Sequence, residues 1–101
     1  MNQSPSIIWL QIEMGANKWN GKKVELQFRA RVSTGRIATA EYSIDGGEWH
    51  LIFPVDGVAD SAQEDYRIVT PELSIGEHLI GIRASDGDGN TGTSKLVVKT
   101  P

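Results

Sequence analysis

The chain has 101 residues, 39% hydrophobic and 23% charged, which bounds it to one domain with an ordinary globular core. Its net charge of −3, with Lys and Arg scattered singly or in short pairs, argues against nucleic acid as the main partner and provides no polybasic patch for a membrane surface. The absence of cysteine excludes a disulfide framework, a thiolate metal site and a cysteine nucleophile.

Residues 1–5 read as a flexible N-terminal tail. Met1–Ser6 has neither a positive n-region nor an apolar h-region, so no signal peptide is expected in this segment. No apolar run approaches the roughly 18–20 residues that a membrane-crossing helix needs. The periodicity is two from there on. Ile8, Leu10 and Ile12 predict a first strand. A long connection is expected from Met14 to Lys23, carrying Trp19, because Gly15-Ala16-Asn17 and Asn20-Gly21 are turn signals. Val24, Leu26, Phe28, Ala30 and Val32 alternate with polar residues and predict a half-buried antiparallel strand. Ala38, Ala40, Tyr42 and Ile44 predict the next. After Asp45-Gly46-Gly47, the set Trp49, Leu51 and Phe53 predicts a fourth strand with these three side chains in the core. A second long connection is expected over Val55 to Glu64, with Asp56, Asp60, Glu64 and Asp65 in or beside it. Tyr66 and Ile68, then Ile80, Ile82 and Ala84 with His78 in phase, then Leu96 and Val98, complete the series. About seven short strands with regular turns predict an all-β antiparallel sandwich in Greek-key order. The expected core is Ile8, Leu10, Ile12, Val24, Leu26, Phe28, Val32, Ala38, Ala40, Tyr42, Trp49, Leu51, Phe53, Tyr66, Ile68, Ile80, Ile82, Ala84, Leu96 and Val98.

Three stretches carry a resemblance to a family. Tyr42-Ser43-Ile44-Asp45-Gly46-Gly47-Glu48-Trp49 resembles the central hairpin of bacterial immunoglobulin-like and fibronectin type III-like modules. Phe53-Pro54-Val55-Asp56-Gly57 with Asp60-Ser61 is similar to the loop that follows it in a subset of them. Leu73 through Asp86, then Gly89-Asn90-Thr91-Gly92, resembles their return through the sixth strand into the last hairpin. The resemblance implies an immunoglobulin-like accessory domain of a secreted bacterial protein, extracellular or periplasmic, of the kind found C-terminal to a propeller or hydrolase domain. One departure is visible. The family's tyrosine at the corner entering the sixth strand is replaced by His78, whose imidazole can instead donate to a backbone carbonyl.

Chemistry-bearing residues are few. Asp86, Asp88 and Asn90 place oxygens at alternate positions of a glycine-rich loop, a pattern that suits Ca²⁺. The match to a calcium-binding loop fails at Thr91, where glycine belongs, and at Val97, where a bidentate Glu belongs. A hairpin turn in which Asp, Gly and Asn supply the backbone conformation is therefore the favoured reading. The acidic group Asp56, Asp60, Glu64 and Asp65 has no nucleophile or oxyanion donor beside it and reads as a solvated loop. His50 is expected to point outward beside Trp49, and His78 to satisfy a backbone group. No G-x-S-x-G elbow or phosphate loop occurs. Trp9, out of phase with Ile8 and Leu10, is expected to face outward. Trp9 and Trp19 are thus the candidate surface for docking a neighbouring domain or stacking on a carbohydrate. The sequence points to a non-catalytic module, residues 1–101, monomeric in isolation. Its expected partner is a neighbouring domain of the same chain, with carbohydrate or calcium binding as the alternative.

Overall fold

The computed structural model describes residues 10–55, 57 and 61–101. The expected tail, Ile8, Trp9, Asp56 and Asp60 lie outside these residues. Seven strands follow in chain order: β1 (Leu10–Asn20), β2 (Lys23–Val32), β3 (Ile37–Ile44), β4 (His50–Ile52), β5 (Gln63–Val69), β6 (Glu77–Asp86) and β7 (Thr91–Lys99). They pair antiparallel in two sheets, β1-β2-β5 and β4-β3-β6-β7, so the chain is the expected all-β sandwich.

The alternation of β2 decides the inner face. Val24, Leu26, Phe28, Ala30 and Val32 all point between the sheets and meet Tyr66 and Ile68 of β5, Ala40 of β3, Ile80, Ile82 and Ala84 of β6, and Val98 of β7. Phe28 and Tyr66 stack with ring centroids 4.9 Å apart. Ile12, Tyr42 and Leu96 are partly buried against this core. Three buried hydrophobic residues fall outside the expected core list, one of them Ala30 of the β2 alternation. Ile37 opens β3, and Leu73 plugs the end of the sandwich where its N–H donates to the Lys22 carbonyl at 2.9 Å.

Four expectations fail, three of them through a one-residue slip in pairing. The Met14–Lys23 connection is not a loop. β1 runs through it to Asn20 and turns tightly into β2. Met14 lies opposite Phe28 and Asn17 opposite Leu26, so one extra residue bulges out of β1 between them. The bulge reverses the phase. Trp19, opposite the buried Val24, therefore turns inward and packs on the core. In β3 a second irregularity between Ile37 and Thr39 places Ile37 inside and leaves Ala38 exposed. At the other acidic stretch, Glu64 and Asp65 belong to strand β5. Glu64 is buried, with its carboxylate accepting from the Ser61 N–H at 2.9 Å, and Asp65 pairs with Arg29 at 2.7 Å.

The third slip, in β4, matters most. Gly47 N–H donates to the Ile44 carbonyl at 2.9 Å across Asp45 (φ 53°) and Gly46 (φ 74°), a two-residue turn with both central φ values positive. Direct continuation of that turn would set Trp49 opposite Tyr42. Instead His50 lies opposite Tyr42, Leu51 opposite Glu41 and Ile52 opposite Ala40. One residue is absorbed between Gly47 and Trp49, and every side chain of β4 changes face. Ile52 turns inward, while Trp49, Leu51 and Phe53, expected in the core, turn outward. His50 is exposed as expected, its ring tilted against Tyr42.

Candidate functional site

The slip in β4 assembles the most distinctive surface of the molecule. On the outer face of the four-stranded sheet, Leu79 of β6 lies opposite Val97 of β7, and both are open to solvent at 38% and 60%. Two residues along β6, Gly81 lies opposite Ser43 of β3. The Trp49 indole rests against this pair. A Cβ at Gly81 would sit 2.9 Å from Ser43 Oγ, too close to be accommodated without a shift, and in van der Waals contact with the indole Cη2 at 3.4 Å, so glycine suits this close-packed spot beneath the ring. Arg83, the next outward residue of β6, lays its guanidinium over the indole at 4.1 Å from the ring centroid. It also donates to Glu41 Oε1 through Nε at 3.0 Å and Nη2 at 2.9 Å. Leu51, 55% exposed, lies opposite Glu41. The result is a continuous stripe, Val97–Leu79–Trp49–Leu51, stiffened by the Trp49–Arg83–Glu41 stack. A cation–π contact of this kind contributes about 0.5–1 kcal/mol at an exposed site. It also occupies one face of the indole, which leaves Trp49 39% exposed and poorly placed to act as a flat sugar platform.

A second constellation resembles catalytic machinery and differs from it at one atom. His78 Nδ1 is 2.6 Å from Asp45 Oδ2, and its Nε2 is 3.5 Å from Ser74 Oγ. A serine–histidine–carboxylate relay needs the Nε2 lone pair aimed at the hydroxyl. Here Nε2 faces the Ser74 backbone carbonyl at 2.7 Å, and only an N–H can sit at that distance from a carbonyl oxygen. With Nδ1 against the Asp45 carboxylate as well, both ring nitrogens face acceptors, an arrangement that suits the imidazolium and aims no lone pair at the hydroxyl. The pKa of His78 is accordingly raised, chiefly by the Asp45 hydrogen bond and next by the Ser74 carbonyl, and that of Asp45 is lowered by His78 and by the Leu79 N–H. Asp45 Oδ1 accepts from that N–H at 2.8 Å. This is a corner latch. It holds the β3–β4 turn to the start of β6, and it provides the backbone hydrogen bond expected of His78.

At the opposite end, the Asp86–Asn90 loop is the β6–β7 hairpin turn. Asp86 Oδ1 accepts from the Asp88 N–H at 2.9 Å and the Asn90 N–H at 2.8 Å, and Oδ2 accepts from Asn90 Nδ2 at 2.8 Å. These bonds hold the Asp86 carboxyl below its ordinary pKa, the Asn90 side chain being the largest cause. Both Asp86 oxygens are thus engaged by the turn itself. Among the described residues no group of three or more His, Asp or Glu side chains converges on a common centre. Of the sequence candidates, then, Asp86 and Asn90 come together as a turn, Trp19 is drawn into the core, and Trp9 lies outside the described residues. The surface residues that sequence reasoning missed did leave a signal. Leu79 precedes the inward Ile80, and Val97 sits between the inward-facing Leu96 and Val98, so these two strands are apolar on both faces.

No family profile matches the chain, and no curated protein matches it. Solved structures do. A domain of the sulfane dehydrogenase SoxCD from Paracoccus pantotrophus superposes with a TM-score of 0.63 at 19% identity over 77% of this chain. The PKD1 domain of Vibrio anguillarum Epp superposes with a TM-score of 0.59 at 14% identity, over 91% of this chain and 95% of that one. The fold is immunoglobulin-like. The chain spans 25% of the length of the dehydrogenase chain it matches. Both neighbours are parts of larger proteins.

Proposed function

We propose that this chain is a non-catalytic accessory module that docks on a neighbouring domain of its own polypeptide through the outer face of the β4-β3-β6-β7 sheet. The observation that carries the reading is the exposed stripe of Val97, Leu79, Trp49 and Leu51, stiffened by Arg83 and Glu41. Contiguous apolar surface rimmed by polar groups is the usual mark of an interface, and an aromatic locked against an arginine is a pre-organised anchor that loses little entropy on contact. The occupant is taken to be a domain of the same chain, since two solved structures with this fold are segments of longer proteins. The course of the polypeptide suits this role. Leu10 lies beside Gly92 at the pole of the β6–β7 turn, whereas Thr100 donates to the Gly76 carbonyl at 3.0 Å at the opposite pole. A module entered at one pole and left at the other spaces whatever flanks it.

We read the module as a fibronectin type III-like variant of the immunoglobulin-like sandwich, a reading that the strand order β1-β2-β5 with β4-β3-β6-β7 supports. Its setting is a secreted bacterial protein, extracellular or periplasmic, and alone the module is a monomer. The test is side-chain footprinting of the natural full-length protein against the 101-residue domain. Labelling of Trp49, Leu79 and Val97 is expected to fall in the full-length protein, while labelling of the remote Ile75 stays constant. Equal labelling of the stripe in both, or a natural polypeptide consisting of this domain alone, would overturn the reading.

A further inference from the structure

The second sheet carries a different surface, and it involves none of the docking residues. After β4 the chain crosses to the other sheet. Pro54 bridges Tyr66, and the Val55 N–H donates to the Asp65 carbonyl at 2.8 Å. Pro54 and Tyr66 are buried, so the flanking Phe53 and Val55 stand on the outer face of the β1-β2-β5 sheet as its far wall. Phe53 is 69% exposed. The floor is Gln27, Arg29, Asp65 and Arg67, and Glu13 with Gly15 forms the near side at the β1 bulge. Gly15 keeps the groove open there, since a Cβ would meet the Gln27 carbonyl at 3.2 Å. The groove is open to solvent on one side and has a volume of about 690 Å³, within the roughly 300–1,000 Å³ of small-molecule sites.

From these groups we infer that the groove binds a neutral saccharide. The charges lining it cancel, with Glu13 and Asp65 against Arg29 and Arg67, so neither an anion nor a cation is favoured. The planar groups are held in place by ion pairs, Arg29 to Asp65 at 2.7 Å and Glu13 to Arg31 at 3.0 Å. They still have free donors and acceptors, because a guanidinium has five N–H groups and a carboxylate about four lone-pair sites. Fixed planar groups of both signs match the vicinal hydroxyls of a sugar, which donate and accept side by side. Phe53 supplies the apolar wall against which the C–H face of a pyranose packs. An extended peptide fits less well. Peptides add to a free strand edge, and the β5 edge beside the groove is already taken by Pro54 and Val55.

The test is affinity electrophoresis of the 101-residue protein in gels containing laminarin, arabinoxylan, galactomannan or glycol chitin, with heparin as the charged comparison. At least one neutral polysaccharide is expected to retard the protein. Phe53→Ala and Gln27→Ala are each expected to weaken that retardation at least tenfold while melting as the wild type does, and Ile75→Ser to leave it unchanged. No retardation by any of the four neutral polymers, retardation that survives Phe53→Ala, or retardation by heparin alone would overturn the inference.

Discussion

The facing of β4 can be tested with two adjacent substitutions to lysine. Leu51 and Ile52 are similar in size and hydrophobicity, and the expected phase put Leu51 in the core. In the structure Leu51 lies outside opposite Glu41, and Ile52 lies inside opposite the fully buried Ala40. Full burial of a leucine side chain stabilises by about 1.5–3 kcal/mol. Leu51 is 55% exposed, so its loss costs roughly 1 kcal/mol. A lysine there faces Glu41, and an opposite-charge cross-strand pair returns about 0.2–1 kcal/mol. The net cost of Leu51→Lys is thus about 0.5 kcal/mol, a fall in Tm of roughly 2–4 °C for a domain of this size. Ile52→Lys removes inward apolar contact and drives an ammonium toward the core. Even with the head group reaching back to the strand edge, the expected loss is about 3 kcal/mol. Equilibrium urea unfolding followed by tryptophan fluorescence, with the slope m held constant, measures both. Equal losses, or a larger loss for Leu51→Lys, would refute the register assigned to the turn.

Phe28→Ala removes a buried ring stacked on Tyr66 and is expected to cost about 3–5 kcal/mol in the same unfolding assay; a change under about 1 kcal/mol would remove Phe28 from the core. The His78 latch gives stability a pH dependence. The raised pKa of His78 adds stability that is complete below its ordinary value of 6.5 and is lost as pH rises through the folded value. The lowered pKa of Asp45 adds stability above 3.8 that is lost as pH falls through its folded value. The Tm advantage of the wild type over His78→Gln is therefore expected to be largest near about pH 5–6 and to narrow toward about pH 9; a gap independent of pH would show that the imidazole is held neutral. Because the turn itself engages both Asp86 oxygens, Tm is expected to be the same in chelator and in millimolar Ca²⁺. A rise of several degrees with Ca²⁺ would mean that the loop opens to coordinate it.

Strand existence and sandwich architecture were legible because β2 alternates without interruption from Val24 to Val32, and one sheet face in contact with another imposes that pattern. Individual side-chain facing was less legible, because it depends on an integer. An extra residue at Gly15–Asn17, at Ala38 or at Gly47–Trp49 inverts the facing of the strand on one side of it relative to the other. Hydrophobicity alone cannot reveal the inversion where apolar residues occupy both phases. In β4, Trp49, Leu51 and Phe53 lie in one phase and Ile52 in the other, and three apolar residues outweighed one. The local cue was the tight Asp45-Gly46 turn followed by a second glycine. The corner role of His78 was legible from chemistry, since an imidazole at the tyrosine's place still needs a backbone acceptor. Its partner Asp45 was hidden because the two residues are far apart in sequence.

The slip after Gly46 also bears on function. A strand edge is the usual hazard of an open sheet, and three of the four edge strands here are short or partly covered. β4 is three residues long, β5 is covered by Pro54 and Val55, and β7 meets Leu10 at Gly92. Among the described residues the large apolar side chains most open to solvent are Trp49, Leu51, Leu79 and Val97 on one sheet, Phe53, Val55 and Val69 on the other, and Ile75 in the β5–β6 connection. Were β4 in the phase its apolar residues favour, Trp49, Leu51 and Phe53 would enter the core, and the stripe would shrink to the Leu79–Val97 pair. The single absorbed residue thus creates both surfaces at once. Placing Trp49 and Leu51 beside Arg83 and Glu41 makes the docking face, and delivering Phe53 to the opposite sheet makes the wall of the groove. Removing Gly47 would therefore reduce both activities together, whereas Trp49→Ala would impair docking alone and Phe53→Ala saccharide binding alone. Footprinting and affinity electrophoresis on the three variants can separate these outcomes. Loss of both activities in each single variant would show that the two faces are not independent sites.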